Sequence, residues 1–108
     1  MSQGRKDDGA KPRTDLLPTD ALLAVAEVLT FGAERYGVRN WEAGMAWGRV
    51  YAALLRHMFA WAQGEASDPE TGLSHLAHAS CCVLFLLAYE LRGTGDDDRL
   101  TIETRPPA

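Results

Sequence analysis

The stretch GLSHLAHASCCVLFLLAYE covers Gly72–Glu90. Past its head it is apolar almost without a break, and it is bounded by SDPETG before and RGTG after. Its longest apolar run, Ala79 to Ala88, is too short to cross a bilayer, which takes about 20 residues. The pattern predicts a core helix from about Leu73 to Arg92. A helix apolar nearly all round needs burial on several sides. His75 and His78 stand three apart at its start, so they share one face.

Working backward, two more helices are expected. LLPTDALLAVAEVLTFGAERYG (16–37) carries Leu22, Leu23, Ala26, Leu29 and Ala33 at helical spacing, with Thr19 as N-cap and Gly37 as C-cap. Gly32 inside it points to close packing or a local break. RVYAALLRHMFAWAQGE (49–65) places Val50, Leu54, Met58 and Trp61 on one stripe and Arg49, Arg56 and Gln63 on another. The loop between them, 38–48, holds Trp41 and Trp47 and is long for a bundle connection. ASDPETG reads as the start of the third helix, with Ser67 or Asp68 as N-cap, Pro69 in its first turn and Glu70 closing a capping box.

These elements predict an all-α fold. Three main helices form a bundle, and homo-oligomerisation, a homodimer or higher, completes it. Three regions follow: a charged N-terminal arm (1–15), a helical domain (16–92) and a C-terminal tail (93–108). The tail contains RLTIET, a short edge strand or docking arm if ordered.

The 108 residues are 46% hydrophobic and 24% charged, with a formal net charge of −4. That composition is globular, and the acidic balance excludes a general binder of polymeric nucleic acid. Two adjacent cysteines, Cys81 and Cys82, in an apolar helix predict buried free thiols in a reducing compartment. With a polar start and no span for a membrane, the expected location is the cytoplasm, the host cytoplasm for a phage protein.

Chemistry concentrates in fourteen positions: Glu65, Asp68, Glu70, His75 and His78. A short link makes the second and third helices antiparallel neighbours, so these residues meet at one end of the bundle. Two imidazoles at i and i+3 beside carboxylates suit a divalent metal, Mn2+ or Co2+ more readily than Mg2+. His57 is a general base, a phosphate donor or a core residue. With Arg49 and Arg56 it places cationic or donor groups along the second helix, and metal plus arginines describes a phosphate-binding cleft.

The order KPRTDLLP…ALLAVAEVLTFGAERYGVRNW…LLRHMFAW…GEASDPETGLSHLAH…LFLL resembles the dATP/dGTP diphosphohydrolase N-terminal family. More distantly it is similar to the MazG-like all-α nucleotide pyrophosphohydrolases. The resemblance implies an oligomeric helical fold. It also implies metal-dependent cleavage of a purine (deoxy)nucleoside triphosphate, dGTP or dATP, to the monophosphate and pyrophosphate. MazG-like enzymes carry ExxE and ExxD pairs on successive helices. Here Glu65 and Asp68 keep the first spacing, whereas His75 and His78 stand at the second.

The expected roles follow. Glu65, Asp68, His75 and His78 hold metal; Glu65, Asp68 and His57 are catalytic. Lys11, Arg13, Asn40, Trp41, Arg49 and Arg56 bind substrate, with Trp41 stacking on the purine. Two rival readings use the same residues: a nucleotide-sequestering protein without turnover, and a plain helical interaction module. The absence of any His-Asp dipeptide argues against an HD-type phosphohydrolase.

Overall fold

The computed structural model describes residues 3–100. It contains three α-helices, α1 (Thr19–Tyr36), α2 (Trp47–Ala62) and α3 (His75–Arg92), and among the described residues no strand longer than an isolated bridge. The fold is all-α, as the apolar periodicity requires. No helix of the described residues is long and apolar enough to cross a membrane.

Helix α3 is the axis of the fold. Val25 and Val28 of α1 pack on Ala77 and Cys81 of α3, flanked by Ala24, Leu29, Leu73 and Phe85. Each valine buried this way contributes on the order of 1.5–3 kcal/mol. Helix α2 packs on another side of α3. The two run antiparallel: His57 meets His75 at one end, and Trp47 Nε1 donates to Thr94 O at the other (2.9 Å). Both α1 and α2 lean on α3 with little contact between them. A groove remains, with α3 as its floor.

The helix ends differ from expectation in instructive ways. Pro18, not Thr19, is the N-cap of α1. Gly37 does end that helix, at φ 97, its N–H donating to Ala33 O. A β-carbon would be strained at that φ. At Gly32, by contrast, nothing lies within 4 Å of where a β-carbon would stand, and α1 runs through unbroken. Helix α2 starts two residues earlier than expected and stops at Ala62.

The cap of α3 is Ser74, not Ser67 or Asp68. Its hydroxyl accepts from the N–H groups of Leu76 and Ala77. SDPET instead forms a separate turn. Asp68 N–H donates to Leu73 O (2.8 Å), Gly72 N–H returns to Asp68 O (2.7 Å), and Ser67 bridges Ser74. Thr71 Oγ1 accepts from Leu73 N–H at 3.1 Å. Because this turn closes on itself, the Asp68 carboxylate is not spent on capping α3.

The loop before α2 and the chain after α3 are tied together. Asn40–Ala43 forms a 3-10 turn. Tyr89, fully buried, donates its hydroxyl to Trp41 O at 2.6 Å. Asp96 pairs with the backbone at the start of α2, its C=O accepting from Trp47 N–H and its N–H donating to Met45 O. A β-carbon at Gly95 would lie 2.6 Å from Met45 O, so only glycine allows this approach. Asp98 Oδ1 accepts from Gly48 N–H at 2.8 Å, which makes it a cap for α2 from fifty residues away. The first part of the tail is thus packed down. The expected strand or docking arm lies mainly in 101–108, outside the described residues.

Candidate functional site

Three histidines meet where α2 ends and α3 begins. His57 projects from α2, and His75 and His78 from the first turn of α3. The His57 and His75 Nδ1 atoms face each other at 3.0 Å. The His57 ring also lies parallel to that of His78, with centroids 4.5 Å apart. His75 is buried, and its Nε2 lies 2.7 Å from Glu65 Oε1. His78 Nε2 bonds the Thr71 hydroxyl at 2.8 Å.

Asp68 enters from the turn. Its Oδ1 accepts from Glu70 N–H at 2.7 Å, which fixes the carboxylate plane. Its Oδ2 then stands 3.7 Å from His57 Nδ1, at ion-pair distance. One ligand atom each from His57, Asp68 and His75 falls within 4.8 Å of the others, a grouping able to hold a metal ion.

Burial pushes the pKa of His57 down, and the neighbouring His78 adds to this while Asp68 opposes it. Burial also lowers His78, again against Asp68. Both imidazoles therefore favour the neutral form, which offers a lone pair to a cation.

The cluster sits at one end of the groove, a cavity of about 1020 Å³ that His57, Asp68, Thr71 and His78 all line. Farther along lie Ala53 and Arg49 of α2, Cys82 and Phe85 of α3, and Phe31 of α1. Arg35, Arg39, Asn40 and Trp41 complete the far end. Arg49 precedes His57 by eight residues, about 12 Å of helix. Phe85 follows His78 by seven, about 10 Å. The groove thus joins a cluster of imidazoles and a carboxylate at one end to aromatic and amide groups at the other.

The expected residues divide in this frame. Asp68 and His75 stand in the group able to hold an ion, and His57 joins them there. Glu65 and His78 stand one step behind, each hydrogen-bonded through a ring nitrogen contact rather than grouped with the other three. Asn40, Trp41 and Arg49 line the groove, but Arg56 does not. Arg56 is exposed, yet close enough for its charge to oppose the burial that raises Cys82. Lys11 and Arg13 are not brought to the groove; Arg13 pairs with Asp15 at 2.7 and 2.9 Å. The Trp41 ring stacks on Phe85 at 4.4 Å, with the Arg92 guanidinium 5.2 Å from its centre, so both pin the loop to α3.

Two groove features stand outside the sequence expectations, Thr71 and the continuation of the His78 stripe through Cys82 and Phe85. The second had a signal, since spacings of four and three put these side chains on one face of α3. The first had none, because Thr71 reaches His78 only through the fold of the turn.

The sequence profile of the dATP/dGTP diphosphohydrolase N-terminal family matches residues 1–99. A relative, the dATP/dGTP diphosphohydrolase of Salmonella phage PMBT28, is 35% identical over 97 residues. The match covers 89% of this chain and 33% of the relative, so the chain spans about a third of that protein's length. No solved structure matches.

Proposed function

The chain belongs to the dATP/dGTP diphosphohydrolase N-terminal family, and on that premise we propose that its groove binds a purine deoxynucleoside triphosphate and cleaves it to the monophosphate and pyrophosphate. The observation that carries this reading is the His57–Asp68–His75 group at one end of a groove with arginine and aromatic groups along it. The family relation supports the same substrate class, since the phage relative is named for dATP and dGTP.

In this reading the triphosphate lies toward the histidines and the base toward Phe31, Phe85 and Asn40. Arg49 neutralises phosphate charge from the groove wall. Asn40 offers an amide donor and acceptor to the base edge. Water adds to the α-phosphorus, the bond from that phosphorus to the bridging oxygen breaks, and pyrophosphate departs. Asp68, held by Glu70 N–H, and the imidazoles of His57 and His78, which line the groove, are the groups at hand to orient the water and accept its proton.

A divalent ion fits the donors at this end, two imidazoles and a carboxylate. Bound there, it would neutralise phosphate oxygens and make a water more acidic. Self-association and a cytoplasmic site of action, expected from the apolar α3 and the free thiols, belong to the same proposal.

The test is a product assay. The protein is incubated with dGTP, dATP and the other common triphosphates in Mg2+, Mn2+ or Co2+, and products are separated by chromatography. Deoxynucleoside monophosphate plus pyrophosphate is the expected result. Binding without product would shift the reading to sequestration, and neither binding nor product would remove the nucleotide from the account.

A further inference from the structure

The geometry points to a metal site of two histidine nitrogens and one carboxylate, His57 Nδ1, His75 Nδ1 and Asp68, in which Glu65 serves as the hydrogen-bond partner of His75 and not as a ligand. It deepens the preceding reading, on which its role in catalysis rests; the binding itself rests on the arrangement of the side chains.

The argument starts at Glu65. A carboxylate only accepts hydrogen bonds, so at 2.7 Å from Glu65 Oε1 the His75 Nε2 carries the hydrogen. The Nδ1 of His75 then presents a bare lone pair. That lone pair faces the Nδ1 of His57 at 3.0 Å. Two nitrogens this close repel unless something positive lies between them, a hydrogen on His57 or a cation.

Asp68 brings the negative charge that favours a cation there. Its Oδ1 is held by Glu70 N–H, and its Oδ2 is turned toward the same two nitrogens. At 3.7 Å from His57 Nδ1 it is too far for a hydrogen bond. Three donors, from α2, the turn and α3, therefore lie within 4.8 Å of one another around one point. Around them the support is rigid. His57 is stacked on His78, His78 is tied to Thr71, and His75 is buried and tied to Glu65. A carboxylate behind a metal-binding histidine fixes its tautomer and raises its basicity, the arrangement seen here between Glu65 and His75.

The donor set also selects the ion. Imidazole nitrogens favour first-row transition ions, while Mg2+ keeps an oxygen shell. The site opens on the groove through His57 and Asp68, where phosphate oxygens and water are available as further ligands.

The test uses metal-stripped protein titrated with Co2+, followed by visible absorption and calorimetry. The expected result is saturation at one ion per chain, with nitrogen-type Co2+ bands that Zn2+ abolishes and excess Mg2+ does not. His57→Ala and Asp68→Asn should each weaken binding more than tenfold. Glu65→Ala should weaken it about 10- to 100-fold while leaving the band positions unchanged.

Three results overturn the assignment: no preference for Co2+ over Mg2+, wild-type affinity in His57→Ala, or altered bands in Glu65→Ala. Should His57→Ala fail to fold by circular dichroism, 15N spectra of the wild type with Zn2+ decide instead. Ring-nitrogen shifts at His57 and His75 uphold the site, and none at either overturns it. Co2+ binding of the expected pattern with no dNTP hydrolysis would keep the site and reject the diphosphohydrolase reading. Mg2+-supported hydrolysis that survives His57→Ala would do the reverse.

Discussion

The imidazole of His57 lies face to face with that of His78, within 5° of parallel and 4.5 Å apart. The pair comes from two helices, and each ring is held on a further side, His57 by His75 and His78 by Thr71. Two stacked rings in a partly buried place cannot both be charged without repulsion. Burial is the main reason that both pKa values are pushed down, and a neighbouring imidazole adds to it, His78 for His57 and His75 for His78.

A pH dependence of stability follows. In the unfolded chain both histidines titrate near about 6.5; in the folded chain they hold protons less well. Between the folded and unfolded values the unfolded state binds more protons, so stability rises with pH. The contribution is complete above the unfolded value and is lost as pH falls from there through the folded values. Thermal melts in chelator should show a lower Tm at pH 5.5 than at pH 7.5. The difference should shrink in His78→Ala.

Groove occupancy is separable from ion binding. Ala53 lines the groove between Arg49 and His57, so Ala53→Trp would fill the space the nucleotide needs. Nucleotide affinity, measured by fluorescence or calorimetry, should fall at least tenfold. Co2+ affinity should stay within about twofold of wild type, since a bulky side chain one helical turn away leaves the donors in place.

The cap on α2 predicts a coupled pair. Asp98→Ala removes an acceptor from the first turn of α2 and should cost about 1 kcal/mol, roughly 4–8 °C in Tm for a domain of this size. A β-carbon at Gly48 would stand 2.8 Å from the same carboxylate, so Gly48→Ala displaces the cap as well. The double variant should be less destabilised than the sum of the single ones. Additive losses would show that Asp98 does not cap α2.

The thiols should be silent in the native state. Burial pushes Cys81 up to about 12 and raises Cys82 also, and the thiolate is the reactive form. Ellman's reagent at pH 7.5 should titrate neither at an appreciable rate, and both once the protein is unfolded. Rapid labelling of Cys82 alone would mean that the groove floor is more open than its half-buried position indicates.

Leu76, Val83, Leu87 and Leu91 lie 42%, 49%, 47% and 78% exposed along one stripe of α3, with spacings of seven, four and four. A stripe of this kind on a core helix favours a partner helix, and a second copy supplies one with the same face. Light scattering should give a dimer or higher assembly, and Leu87→Asp should lower the mass to that of the monomer. A wild-type monomer at high concentration would remove self-association from the account.

The three helices and most of their register are legible in the residue pattern alone. Apolar spacing, Gly37 and the punctuation around α3 act over a few residues, and such local signals survive whatever the chain packs against. The pattern also determined that His75 and His78 share a face, and that carboxylates sit near them. Which partners those groups meet depends on the tertiary packing. SDPET reads locally as a helix start, but its backbone closes into a turn because Ser74 takes the cap, and that frees Asp68 for the site. His57 and Glu65 take their positions for a related reason. The antiparallel packing of α2 on α3 carries His57 onto both later histidines and sets Glu65 behind His75. Asp98 reaches α2 across fifty residues in the same way. No short-range preference encodes these meetings; they arise when buried apolar faces fix how far two helices slide past one another.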